Sequence, residues 1–199
     1  MAAYPGGAPA ATLRASLLRG ACLALAIVAS CPTEAWSEEP EPPDYRIENY
    51  RAPVPTGLSG ARVVGTAEAA ALWRDKAAVF IDVMPRAPRP PNLPPGTIWR
   101  DRPRLNIPGS VWLPDTGYGE LAASTEAYLR GALSALTAGD RTRPILIYCL
   151  RDCWMSWNAA KRAIAWGYTQ VIWFPDGTDG WGEEDFPFEE GRPWSPGRG

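Results

Sequence analysis

Ile145-Leu146-Ile147-Tyr148-Cys149-Leu150-Arg151-Asp152-Cys153-Trp154-Met155-Ser156-Trp157-Asn158-Ala159-Ala160 is the stretch on which the reading of the chain turns. Four apolar residues end on a cysteine, a short loop follows, and helical sequence begins. A continuous apolar run of this length suits a parallel strand buried on both faces. A thiol at its carboxyl end faces the N-terminus of the next helix. Free N–H groups and the helix dipole favour negative charge there, by about 1 kcal/mol. Such surroundings lower a thiol pKa and make thiolate available. Cys149 is therefore the expected attacking thiolate. Cys153 is the expected resolving partner, within reach of a disulfide bridge. The loop residues Leu150, Arg151, Asp152, Trp154, Met155 and Ser156 are the expected cradle.

Elsewhere the same alternation recurs. Val79-Phe80-Ile81-Asp82-Val83 is another buried strand, closed by an acid, and Ser110–Leu113 is a short one. Val171-Ile172-Trp173-Phe174 is the last, before a turn at Pro175-Asp176-Gly177. Helices are expected from Thr66, from Ser124 to Gly139 and from Met155 to Trp166, with Thr66 and Ser124 as N-caps. Strands alternating with helices of this length give βαβ units and a parallel sheet, with ligands beyond the carboxyl ends of the strands. Asp82 closes a strand beside Cys149 and is expected to bond loop amides or an arginine. From Met84 to Pro108 runs an aperiodic stretch rich in proline and arginine, expected as a lid, a rim or a solvated excursion.

Composition bounds the function. The chain has 199 residues, 20 basic and 22 acidic, which gives no electrostatic footprint for nucleic acid. It has no histidine, which removes His-assisted catalysis and the commonest metal ligand. Cys149, Cys153 and Met155 are soft donors for copper(I), but histidine normally completes such sites, so no metal is expected. Ten tryptophans are many. Trp112, Trp166 and Trp173 are expected in the core, and Trp154, Trp157 and Trp181 are candidate surface anchors for a partner.

The ends read differently. Arg14 and Arg19 precede the apolar run Ala21–Ala29, so residues 1–35 read as an export signal. Val28-Ala29-Ser30-Cys31 also fits a lipoprotein signal of residues 1–30, with Cys31 as a lipid anchor; a cut after Ala35 is the rival. Either implies a periplasmic protein in which Cys149 and Cys153 form the remaining pair. Residues 36–60 hold Glu38-Glu39-Pro40-Glu41-Pro42-Pro43 and read as a linker or extended arm. The domain proper is expected at 61–186, and 187–199 as a disordered tail.

Taken in order, Ile81-Asp82-Val83, Asn106-Ile107-Pro108-Gly109-Ser110-Val111, Ile147-Tyr148-Cys149, Ala159-Ala160, Gly167-Tyr168 and Asp176-Gly177-Thr178-Asp179-Gly180-Trp181 resemble the landmarks of the rhodanese-like domain. More narrowly, Tyr148-Cys149 through Asn158 with Gly177–Trp181 resembles the PQQ-dependent catabolism-associated CXXCW motif proteins, although three residues separate the cysteines here. The resemblance implies an α/β three-layer fold: a central, mostly parallel sheet with helices on both faces. It implies an accessory role in PQQ-dependent alcohol oxidation, a functional association with PQQ enzymes; the residues themselves single out no bound cofactor. Partners would be a PQQ-dependent dehydrogenase, a cytochrome or a periplasmic redox protein. Asp82 and Trp181 are then supporting residues.

Departures from the rhodanese pattern bear on the chemistry. The loop is one residue longer, Met155 stands where an arginine is usual, and Asn106 replaces a histidine. Three functions follow: thiol–disulfide chemistry at Cys149 and Cys153, sulfur transfer through a persulfide on Cys149, or partner binding without catalysis.

Overall fold

The computed structural model describes residues 39–100 and 102–197. The expected export signal and Cys31 lie outside the described residues. No helix among those described is long and apolar enough to cross a membrane.

Seven strands and four helices follow one another: β1 (Ala61–Val63), α1 (Thr66–Arg74), β2 (Val79–Asp82), β3 (Arg104–Asn106), β4 (Val111–Trp112), α2 (Ala123–Leu136), β5 (Ile145–Tyr148), α3 (Trp154–Ala165), β6 (Val171–Phe174), α4 (Gly177–Glu183) and β7 (Glu189–Gly191). Five of the strands form one sheet in the order β1-β6-β5-β2-β4, every pair parallel. The central strands are continuous apolar runs because both of their faces are covered. Ile145, Ile147 and Cys149 pack with Leu129, Leu133, Ala160 and Ala163 from α2 and α3. Leu146 and Tyr148 point the other way, onto Ala69, Ala70 and Trp181 from α1 and α4. The molecule is the α/β architecture that the alternating pattern anticipates: a central parallel sheet with helices on both faces.

Several boundaries differ from expectation. Gly65 and Ala122, not Thr66 and Ser124, occupy the N-cap positions of α1 and α2. The short strand is Val111–Trp112. The expected turn at Pro175–Gly177 opens instead into α4, whose Trp181 is fully buried. Burying that indole outweighs the poor helix propensity of Gly177, Gly180 and Gly182.

The tail is the clearest correction. Residues 187–199 were expected to be disordered, but β7 pairs antiparallel with β3, in the register Arg104↔Gly191. Beyond it the Trp194 N–H donates to the Trp112 carbonyl at 2.9 Å, and the Tyr128 hydroxyl donates to the Trp194 carbonyl at 2.9 Å. An unpaired β3 edge and a ring seat against Tyr128 hold a segment whose own side chains carry little strand signal. Residues 39–60 run as an extended arm along α3, in the same compact unit as the sheet.

Candidate functional site

β5 delivers Cys149 to the carboxyl edge of the sheet, where the chain turns into α3. Leu150 pairs with Gly177 in an antiparallel bridge. Asp152 takes a left-handed conformation, φ 50°, and reverses the chain. Cys153 is the N-cap of α3, with extended φ −129° and ψ 107°. Gly177 has φ 51°, and a Cβ there would lie 2.5 Å from the Cys149 carbonyl oxygen. Only glycine combines that conformation with that approach.

The Cys149 carbonyl is held from behind. It accepts from the Thr178 N–H at 3.0 Å, the Thr178 hydroxyl at 3.3 Å and Arg104 Nη2 at 3.3 Å. Arg104 Nε also donates to Asp82 Oδ2 at 2.7 Å. Asp82 is fully buried and accepts the Met84 N–H at 2.8 Å. Burial raises its pKa to about 6, with the Arg104 charge pulling the other way. Asp82 thus ties the loop to the sheet through an arginine.

Both cysteines are free thiols, with Cys149 at 0% and Cys153 at 2% exposure. Cys149 Sγ faces carbonyl oxygens, Leu150 O at 3.6 Å and Cys153 O at 3.4 Å. Those acceptors suit a thiol. Burial first, then Cys153, push the Cys149 pKa well up; the Ser156 hydroxyl and the Leu150 amide oppose. Cys153 moves the opposite way, down to about 6. The neighbouring Cys149 thiol is the largest cause; the Met155 amide, the Arg51 charge and the Leu150 amide add to it, against burial. The sulfur makes no capping bond of full geometry to the helix. Two facing carbonyls in a fully buried site favour a protonated Cys149, while Cys153 sits at the helix N-cap. This corrects the expectation that Cys149 is the thiolate in a nest of amides. A side chain leaving a strand end points into the sheet's packing, whereas the N-cap position faces the helix amides.

The other expected residues divide. Arg151 is not in the cradle: its Nη2 reaches Glu183 Oε2 at 2.6 Å and its N–H donates to Asp179 Oδ2 at 3.1 Å, both outward on α4. Asp152 is exposed at the turn. Ser156 Oγ donates to the Cys153 carbonyl at 3.2 Å and accepts the Trp173 indole N–H at 3.1 Å. Met155 is buried against Gly117, where an added Cβ would meet the Met155 Cβ at 2.4 Å. Trp181 lies in the core under α1, edge-on to Trp73. Trp154 and Trp157 are buried as well, so the three indoles read as surface anchors are interior. The arm covers the first two.

One residue beside the thiols had no sequence signal of its own: Arg51. Arg51 pairs with Cys153 in an antiparallel bridge, beside the Trp154 N–H donating to the Tyr50 carbonyl at 2.9 Å. Arg104 was visible as one arginine in a run of several, with nothing to single it out.

No family model matches the chain, and no curated protein matches it by sequence. Among solved structures, it is similar to the thiosulfate sulfurtransferase from Pseudomonas aeruginosa, at 17% identity and a TM-score of 0.45, over 67% of this chain and 21% of that one. The chain therefore spans about a fifth of that protein's length. It is also similar to the polysulfide-sulfur transferase homodimer from Wolinella succinogenes, at 16% identity and a TM-score of 0.43, over 68% of this chain and 82% of that one. The chemistry of the loop is read from its own geometry.

Proposed function

We propose that this rhodanese-like α/β domain carries out dithiol–disulfide exchange at Cys153 and Cys149. The observation that carries the reading is the placement of two free thiols together: Cys149 Sγ lies 3.4 Å from the Cys153 carbonyl oxygen at the end of β5, and Cys153 is the N-cap of α3. The Cys153 thiolate attacks one sulfur of a substrate disulfide, and the substrate's other sulfur leaves as thiolate. Cys149 then gives up its proton and attacks Cys153 Sγ. The substrate departs as a dithiol, and the domain ends with a Cys149–Cys153 disulfide. Two electrons pass from the domain to the substrate, and reversal oxidises a dithiol instead.

Space favours this over sulfur transfer. An internal disulfide adds no atom to the site, whereas a persulfide on Cys149 adds a sulfur where the side chain is already 0% exposed. Sulfur transfer remains the alternative, supported by the rhodanese landmarks in the sequence. The setting belongs to the proposal too: export to the periplasm, supported by the N-terminal pattern, and accessory work beside a PQQ-dependent dehydrogenase, cytochrome or redox protein, supported by the CXXCW resemblance. Separate replacement of the cysteines tests the chemistry. Exchange predicts that Cys153→Ser and Cys149→Ser each abolish reduction of a protein disulfide. Sulfur transfer predicts that Cys153→Ser retains transfer from thiosulfate to cyanide, and that result would reject the exchange reading.

A further inference from the structure

The arm lies across the thiols in a particular way. Trp154, Trp157, Asn158 and Lys161 fall at i, i+3, i+4 and i+7 and form one stripe of α3. The Trp154 indole N–H donates to the Pro53 carbonyl at 3.0 Å and the Trp157 indole N–H to the Gly57 carbonyl at 3.3 Å. Asn158 bonds both main-chain groups of Arg46, giving to its carbonyl at 2.8 Å and taking its N–H at 2.9 Å. Lys161 Nζ donates to the Pro42 carbonyl at 3.0 Å. Each of these hydrogen bonds ends on a main-chain atom of the arm. Of the arm's side chains, Arg46 lies over the Trp154 ring at 5.1 Å, and the Tyr45 ring lies under Arg162 at 4.2 Å.

Such a face reads the spacing and direction of an extended chain, while Tyr50, Ala52, Val54 and Leu58 seat their side chains on the core beside it and Ile47, Glu48 and Asn49 stay exposed. It is the same logic as adding a strand to a sheet edge. Proline is compatible, because the bonds at Pro42 and Pro53 use carbonyls and proline lacks only the N–H. With the arm seated, neither sulfur is accessible to a macromolecule. Directly opposite Cys153 sits Arg51. Residues opposed across an antiparallel pair have Cβ atoms about 4.5–5.5 Å apart, close to the span of a disulfide.

We infer that the α3 stripe and the start of the loop are a docking seat for an extended polypeptide, and that residues 46–58 of the arm hold this seat in cis. The inference rests on the exchange reading. The partner it fits is a protein segment in extended form that places a disulfide sulfur where Arg51 now stands. Its sulfur then meets Cys153 in line for attack, and its main chain takes over the bonds to Trp154, Trp157 and Asn158. A tethered arm competes at an effective concentration on the order of millimolar, so a free segment binds weakly until the arm is loosened.

The test uses the full chain with Cys149→Ser, which stops resolution and leaves the mixed disulfide on Cys153. The probe is a synthetic peptide of residues 46–58 with Arg51→Cys, its cysteine capped as a disulfide with 5-thio-2-nitrobenzoate. Attack by Cys153 releases the coloured thiolate. Cysteine capped the same way is the small-molecule control. The expected result is a rate that saturates with peptide and stays linear with capped cysteine. Tyr50→Phe in the protein removes the hydroxyl that accepts the Gly119 N–H at 3.1 Å, loosening the arm, and lowers the half-saturating concentration severalfold. A peptide with its exposed Ile47 and Glu48 cut to alanine saturates alike. Linear kinetics with the same rate constant for peptide and capped cysteine would overturn the seat and leave exchange standing. Loss of saturation in the alanine peptide would overturn main-chain reading. Failure of both probes to react would overturn exchange and seat together. The wild-type chain gives a second measurement: peptide released as free thiol, with a Cys149–Cys153 disulfide found by mapping.

Discussion

Replacing Cys149 with alanine removes the neighbouring thiol, the largest influence holding the Cys153 thiol down. A hydrogen bond to a charged group contributes about 1.5–3 kcal/mol. At about 1.36 kcal/mol per pKa unit, its loss raises the Cys153 midpoint by about one to two pH units. The midpoint then moves from about 6 toward the ordinary thiol range, because the Met155 and Leu150 amides and the Arg51 charge stay in place. Cys149→Ser keeps a hydroxyl donor at the same position and retains most of the depression. The assay is the rate of iodoacetamide alkylation across pH, with the modified residue identified by mass spectrometry. An unchanged midpoint in Cys149→Ala would show that the thiol pair does not share a proton. An acidic midpoint at Cys149 in a Cys153→Ala protein would restore the opposite assignment and refute the reasoning.

Asp82 gives an unusual pH dependence. Its folded pKa lies above the ordinary 3.8, at about 6, so the folded chain holds the proton more tightly than the unfolded one. Its contribution makes stability fall as pH rises from about 4 to about 6, and Asp82→Asn flattens that part of the difference, as read from urea midpoints. Arg104→Met strands the Asp82 carboxylate, and the expected loss at neutral pH is about 3–5 kcal/mol by chemical denaturation. Gly177→Ala drives a Cβ into the Cys149 carbonyl and strains a left-handed position, an expected destabilisation of about 1–3 kcal/mol, with alkylation of Cys153 altered as the loop shifts. Asn158→Ala frees both main-chain groups of Arg46, so the Arg46 amide, protected in the native chain, exchanges faster by hydrogen–deuterium measurement.

How far the sequence was legible follows from which features are local. Val79–Asp82 and Ile145–Tyr148 announce themselves as parallel strands because burial on both faces leaves no polar alternation. The position of the thiol pair between β5 and α3, and an arginine for Asp82, follow from the same pattern. The choice between the sulfurs did not, because it depends on which way each Sγ leaves the backbone: Cys149 meets two carbonyls and Cys153 meets amides. Glu189-Glu190-Gly191 has no apolar alternation, so β7 exists through the edge that β3 offers it. The Gly-Thr-Asp-Gly run reads as a turn by propensity, and only the seat for Trp181 makes it a helix. Reading residues 36–60 as a linker or extended arm left its seat on α3 unplaced, because carbonyls used as acceptors leave no mark on residue type.

Along β5, odd-numbered side chains face α2 and α3 and even-numbered ones face α1 and α4. The address of the first sulfur is therefore a matter of parity. Inserting a single residue within Ile145–Tyr148 would deliver the cysteine that follows the strand to the opposite layer, on the side of Trp181 and away from its partner, with every apolar residue of the strand still present.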